Sequence, residues 1–197
     1  MPFADESALV TVVDYRPSWP VEYAALAERL RPLVGRAAID HVGSTSIPGL
    51  PAKDCIDVQI RVRSLDPGAL SAIGFRLRPE PWNVEEISSG VRCPKLVFAP
   101  PAGERACNVH MRLLGGPNAR FALLFRDYLR IDSPAREAWG AFKRRLAASV
   151  PDLAEYGQIK APATDILMGA AEHWAAATAW APQPNFPSAS GPLDASA

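Results

Sequence analysis

Apolar and polar positions repeat with two different periods along this chain, and the change from one to the other divides it. In residues 55–63, CIDVQIRVR, the side chains of Ile56, Val58, Ile60 and Val62 share one face, and Asp57, Gln59, Arg61 and Arg63 share the other. That is the period of a half-buried strand whose second face carries charge. Residues 106–113, ACNVHMRL, repeat it, with Val109, Met111 and Leu113 on one side and Asn108, His110 and Arg112 on the other. Short apolar or β-branched runs predict further strands over 9–14, 37–42, 75–80 and 95–99, the last joined to 106–113 as a hairpin through PPAGER. Helical spacing predicts helices over 18–34, 118–130, 134–148 and 162–180. Pro20 suits the first turn of one of these, and Ser133-Pro134 reads as N-cap and first-turn proline of another. Asp66-Pro67 and Gly74 frame a short helix between the strands.

The order of these periods predicts an α+β fold. A small mixed β-sheet with flanking helices spans 1–116. A C-terminal helical part over 117–180 packs on it as a layer or forms a small second lobe. Residues 181–197, rich in Pro, Ser and Ala without a periodic apolar face, read as a disordered tail. At 197 residues, 48% hydrophobic and 21% charged, the composition suits a single globular domain with an appendage. Lys+Arg and Asp+Glu are both 21, so the formal net charge is zero, which argues against a nucleic-acid coat. Cys55, Cys93 and Cys107 have no CxxC spacing, so neither a zinc knuckle nor a disulfide framework is indicated. With no signal peptide and no membrane-length apolar run, the expectation is a reduced cytoplasmic protein without a membrane partner.

The chemistry concentrates in residues 41–60, HVGSTSIPGLPAKDCIDVQI. A strand delivers the chain to Gly43, and a loop stiffened by Pro48 and Pro51 returns it to the strand carrying Asp57. Glycine allows close backbone approach to a phosphate. The N–H groups and hydroxyls of Ser44, Thr45 and Ser46 can donate to its oxygens, and Lys53 can supply a point charge. Asp57 can hold a divalent cation that bridges phosphates. The same loop also reads as a tight connection whose hydroxyls cap their own backbone. GxxxxGK[ST] does not occur, which excludes a Walker loop. Asp57, Gln59, Asn108, His110 and Arg112 converge if their strands share a sheet. Lys95, Arg92 and Arg105 would add positive charge, and His110 would serve as general acid or base near neutral pH. Arg126 and Arg130 share a helix face, and Lys143, Tyr156 and Lys160 could line a cleft between the two parts.

Several runs resemble the GrpB family: Tyr15-Arg16-Pro17-Ser18-Trp19-Pro20, residues 43–53 (GSTSIPGLPAK) followed by Ile56-Asp57, Asn108-Val109-His110, residues 125–130 (FRDYLR), and the spaced Lys143, Tyr156 and Lys160. The resemblance covers about residues 12–175. It implies a nucleotidyltransferase-like fold of the polymerase-β-like superfamily, and a link to coenzyme A metabolism, because a domain of this kind is fused to dephospho-CoA kinase in some relatives. It implies a nucleotide or other small anionic ligand, nucleoside triphosphate and Mg²⁺ as ligand and cofactor, and transfer of a nucleotidyl or phosphoryl group, with a non-catalytic binding or accessory domain as the alternative. On this pattern Asp57 and His110 are catalytic and Asp57 is the metal ligand. Gly43, Ser44, Thr45, Ser46, Lys53, Lys95, Arg112, Arg126 and Lys160 bind phosphate. The chain departs from the superfamily pattern of paired carboxylates: Gln59 stands at the second position, and the later strand offers Asn108, His110 and Arg112 instead of an acid.

Overall fold

The computed structural model describes residues 9–80, 82–87 and 89–182. Its elements are α1 (Trp19–Val34), β1 (Ala38–Val42), β2 (Ile56–Val62), α2 (Gly68–Ala72), β3 (Arg76–Leu77), β4 (Val84–Glu86), β5 (Arg92–Ala99), β6 (Cys107–Leu113), α3 (Pro117–Ile131), α4 (Ser133–Ser149) and α5 (Leu153–Thr178). The tail expected over 181–197 lies, from residue 183 onward, outside the described residues.

The strands form one mixed sheet in the order β1-β2-β6-β5-β3, with β4 paired to the first part of β5. β2 and β6 run parallel, and the other pairs are antiparallel. The period-2 alternation of β2 and β6 sends Ile56, Val58, Ile60, Cys107, Val109 and Met111 to one face, where they meet Trp19 and Leu30 of α1 and Leu70 of α2. Trp19 and Leu30 are fully buried, each worth about 1.5–3 kcal/mol in apolar burial. A second core lies among α3, α4 and α5, built from Leu124, Leu129, Trp139, Met168 and Ala171. Ile47 and Leu50, from the loop after β1, are part of this second core. That loop is therefore pinned between the sheet and the helices.

The remaining sheet face is polar, and the strand register aligns it. Asp57 lies opposite Asn108, Gln59 opposite His110, and Arg61 opposite Arg112. Asp40 of β1 lies opposite Gln59, and Lys95 of β5 opposite Arg112. Helix α3 covers part of this face, with Asn118 and Ala119 at its start buried there.

Several elements differ from expectation. The run at 9–14 makes only an isolated bridge, Val13 to Ala52, because its neighbour is the loop rather than a strand. The strand expected over 75–80 shortens to Arg76–Leu77, and the Asn83 side chain then accepts from the Val97 N–H at 3.1 Å. Strand β4 is new, too short at three residues to show a period. Asp132, not Ser133, caps α4 by accepting from the Ala135 N–H at 2.9 Å. The helix expected over 162–180 starts earlier, at Leu153 after the Asp152 cap, so that Pro162 lies inside it. Among the described residues, no helix is long and apolar enough to cross a membrane.

Candidate ligand cleft

The polar face has a sealed half and an open half. In the sealed half Arg61 forks onto Asp40 through Nε to Oδ2 at 2.9 Å and Nη2 to Oδ1 at 3.2 Å. Gln59, fully buried, uses both ends of its amide. Its Nε2 donates to Asp40 Oδ2 at 3.4 Å and to the Ala119 carbonyl at 3.3 Å, and its Oε1 accepts from Arg112 Nη1 at 3.0 Å. Arg112 forks in turn onto Glu85 at 3.1 and 3.2 Å, and Lys95 Nζ lies 3.5 Å from the same carboxylate. Burial opposes ionisation of Glu85, but Arg112 and Lys95 outweigh it and hold the carboxyl at about 2. Burial draws the Lys95 ammonium down, against the pull of Glu85.

The open half begins at Asp57, whose side chain is 29% exposed against 1% for Asp40. Asn108 Nδ2 donates to Asp57 Oδ1 at 3.1 Å, and His110 Nε2 lies 3.6 Å from the same oxygen. Burial works against the Asp57 charge, yet His110, Asn108 and Lys53 together hold its carboxyl at about 2. Burial and Arg112 push His110 down to about 4, so the ring is neutral at pH 7. Its Nδ1 is buried without a partner among the described residues. Arg78 donates to Asn108 Oδ1 at 3.1 Å and stacks over Trp82, 4.3 Å from the ring centroid.

Gly43 sits directly over Asp57. Its φ of 68° and ψ of −172° suit glycine alone, and a Cβ there would lie 2.4 Å from Asp57 Oδ2. Ser44–Ser46 then form a 3₁₀ turn. Thr45 Oγ1 bonds His41 Nε2 at 3.0 Å, and the Ser46 hydroxyl donates to the Gly43 carbonyl at 2.6 Å. Ser44 is thereby the hydroxyl of the three with no such bond among the described residues. Helix α3 clamps this turn: Arg130 donates to the Ser46 carbonyl at 2.7 and 3.1 Å, and Arg126 to the His41 carbonyl at 3.2 Å. Arg126 also pairs with Asp127 at 2.7 Å.

Helix α4 reaches the loop at Pro51, whose ring would lie 2.9 Å from a Cβ on Gly140. One turn on, Lys143, 3% exposed, donates its Nζ to the Pro51 carbonyl. Burial, then the charges of Lys160 and Arg144, push Lys143 down to about 7 against the pull of Asp57. Burial and Lys53 lower Lys160 in the same way. Lys160 Nζ also lies 5.9 Å from the centre of the Tyr156 ring. Lys95 pairs with Glu85, but Lys53, Lys143 and Lys160 make no ion pair among the described residues. Asp54 points away from Asp57, accepting from Trp19 Nε1 at 2.8 Å and from Arg16 at 2.5 Å, and also from Arg105.

The structure thus brings Gly43 and His110 against Asp57, near enough to Lys53 and Lys160 for their charges to be felt, with Ser44 next in the chain. It commits Thr45 and Ser46 to holding the turn, Arg126 to the His41 carbonyl, and Arg112 and Lys95 to Glu85. Lys143, foreseen only as a cleft-lining residue, joins the cluster. Asp40 and Glu85 were not foreseen, although an acid inside the apolar run AIDHV is itself a sign of a buried partner.

A Mg²⁺ pair does not fit this donor set. Two hard cations need several anionic oxygens. Asp57 is a single carboxylate whose Oδ1 is already shared with Asn108, and Gln59 is consumed by Arg112 and Asp40. Among the described residues, no three His, Cys, Asp or Glu side chains cluster as a metal site.

A family model described as GrpB protein matches residues 9–169. The chain belongs to the GrpB family. A dephospho-CoA kinase from Mycolicibacterium paratuberculosis is 35% identical, across 89% of this chain and 49% of its own length. The chain therefore spans about half the length of the dephospho-CoA kinases it matches. UPF0157 protein BH1888 from Halalkalibacterium halodurans is 31% identical, across 72% of this chain and 71% of its own length. Among solved structures, the conserved protein GrpB from Enterococcus faecalis shares the fold, with a TM-score of 0.68 at 22% identity, covering 83% of this chain and 99% of that one.

Proposed function

We propose that this GrpB-family chain is a binding module for a small phosphate-bearing ligand, a nucleotide or a coenzyme A precursor, seated between the 43–53 loop and helices α4 and α5. One observation carries the reading. Arg61 and Arg112 of the polar face are neutralised by Asp40 and Glu85, while Lys53, Lys143 and Lys160, without an ion pair among the described residues, feel the charge of Asp57. An ammonium without a counter-charge in a half-buried cleft favours an incoming phosphate, to which it gives charge-assisted hydrogen bonds. Ser44 supplies a hydroxyl donor at the mouth. Kinship with dephospho-CoA kinases argues for including dephospho-CoA among the candidate ligands. Nucleotidyl transfer through two cations is the less favoured reading, because the second carboxylate is absent and its position is sealed.

A thermal-shift panel of ATP, ADP, dephospho-CoA, pyrophosphate and inorganic phosphate tests the proposal. A ligand at 100 times its Kd adds about 2.7 kcal/mol, or roughly 5–10 °C for a domain of this size. No shift with any member refutes it.

A further inference from the structure

The geometry points to a ligand held without a divalent cation: Lys53, Lys143 and Lys160 meet the phosphate charge that paired metal ions would otherwise neutralise. The inference rests on the phosphate-binding reading above and specifies how that site works. Helix α4 closes on the loop at Pro51, and this contact brings Lys143 to the carbonyl two residues before Lys53. Lys160 enters from α5, close enough for its charge to be felt at Lys143 and to feel those of Lys53 and Asp57. An incoming phosphate favours the charged forms of Lys143 and Lys160, which burial opposes, and a divalent ion placed beside Asp57 would compete with those charges.

The carboxylate is also poorly presented to a metal. Its Oδ1 accepts from Asn108 and faces His110, and its Oδ2 lies under Gly43. Asp40 and Glu85, the other acids of this face, are bound by Arg61, Arg112 and Lys95. Lysine is suited to the substitute role, since each ammonium is a compact point charge with three donors on a flexible stem. The role left to Asp57 is to favour the charged forms of Lys143 and Lys160 and to limit how many anionic oxygens enter.

Titration calorimetry on the full chain with ATP and with pyrophosphate, each in EDTA and in excess Mg²⁺, tests this. The lysine arrangement predicts a Kd in EDTA within about threefold of any value found with Mg²⁺. It predicts weakening of about tenfold or more for Lys53→Ala and for Lys160→Ala, both half-buried positions whose folding is checked by thermal melting. It predicts that Asp57→Asn binds more tightly than the wild type, because a negative charge is removed. A metal-centred site predicts the reverse, with binding lost in Asp57→Asn. Binding that requires Mg²⁺ and disappears in Asp57→Asn overturns this inference alone. Absence of binding with and without Mg²⁺ overturns the phosphate-binding reading and this inference with it.

Discussion

Replacing Gln59 by glutamate would give strand β2 the second carboxylate of a paired metal site, and the structure predicts that the fold resists it. The amide Nε2 lies 3.4 Å from Asp40 Oδ2 and 3.3 Å from the Ala119 carbonyl, and donates to both. In Gln59→Glu that position becomes an anionic oxygen. At an effective dielectric constant near 20, repulsion from Asp40 at 3.4 Å is about 5 kcal/mol. Attraction to Arg112 at 3.0 Å is of the same size, so these two effects nearly cancel. What remains is the desolvation of a fully buried carboxylate, several kcal/mol, and two acceptors facing an acceptor. Partial relaxation leaves about 2–4 kcal/mol of destabilisation at neutral pH, or a Tm lower by about 5–15 °C. Protonation restores a donor at the same place, so the new carboxyl titrates above the ordinary carboxylate range in the folded chain. The folded state then binds this proton more tightly than the unfolded state, and stability is regained as pH falls through the folded pKa. Urea denaturation of both proteins near pH 8 and near pH 5 is the assay: the gap is widest at the higher pH and narrows at the lower. Equal stability near pH 8, or a gap that does not change with pH, refutes the reasoning.

Three further predictions concern neighbouring groups. Gly43→Ala adds about 1–3 kcal/mol of backbone strain and a Cβ contact with Asp57, so thermal melting shows a lower Tm and the phosphate-induced shift is lost; retention of both contradicts the geometry. Glu85 is held at about 2 in the folded chain, below the 4.5 of an unperturbed glutamate, so its contribution is complete above pH 4.5 and is lost as pH falls toward 2; in acid titrations of unfolding free energy, Glu85→Gln shows a shallower slope in that window. Lys143 faces Lys160 of α5, Arg144 of its own helix, Asp57 of β2 and Lys53 of the loop, and has a folded pKa of about 7. A bound phosphate raises that pKa, so ATP binding above pH 7 takes up protons and weakens as pH rises. Calorimetry in buffers of different ionisation enthalpy reads this uptake, which Lys143→Met reduces.

The two faces of β2 and β6 were legible because side-chain alternation is a property of extended backbone itself. Asp57, Gln59, Asn108, His110 and Arg112 do share a face, as their spacing implied. Their division into open and sealed groups was not legible. It depends on Asp40 of β1 and Glu85 of β4, which reach Gln59 and Arg112 only through a register between strands far apart in sequence. A three-residue strand such as β4 shows no period, so nothing in the sequence singled out Glu85. The role of Arg130 was hidden for another reason: its partner is the Ser46 backbone carbonyl, and every residue has one of those. Asp132 was overshadowed as a helix cap by Ser133-Pro134, the louder local signal, and Asp152 lies ahead of the residues where helical apolar spacing begins.

Arginine and lysine find different partners on this face, which is rich in internal charge pairs. A planar guanidinium matches a carboxylate through two parallel bonds, so Arg61 and Arg112 are fully used by Asp40 and Glu85. Arg126 and Arg130 are turned on loop carbonyls, and Arg78 donates to the Asn108 side chain. An ammonium has no such planar match. Lys143 keeps donors to spare after binding the Pro51 carbonyl, and Lys53 and Lys160 make no ion pair among the described residues. The helices are thus not an appendage to the sheet. Through Arg126, Arg130 and Lys143 they hold the carbonyls of His41, Ser46 and Pro51, and through Ile47 and Leu50 they share a core with the same loop. The GSTSIPGL and FRDYLR runs, widely separated in the chain, therefore form one structural unit that fixes the loop.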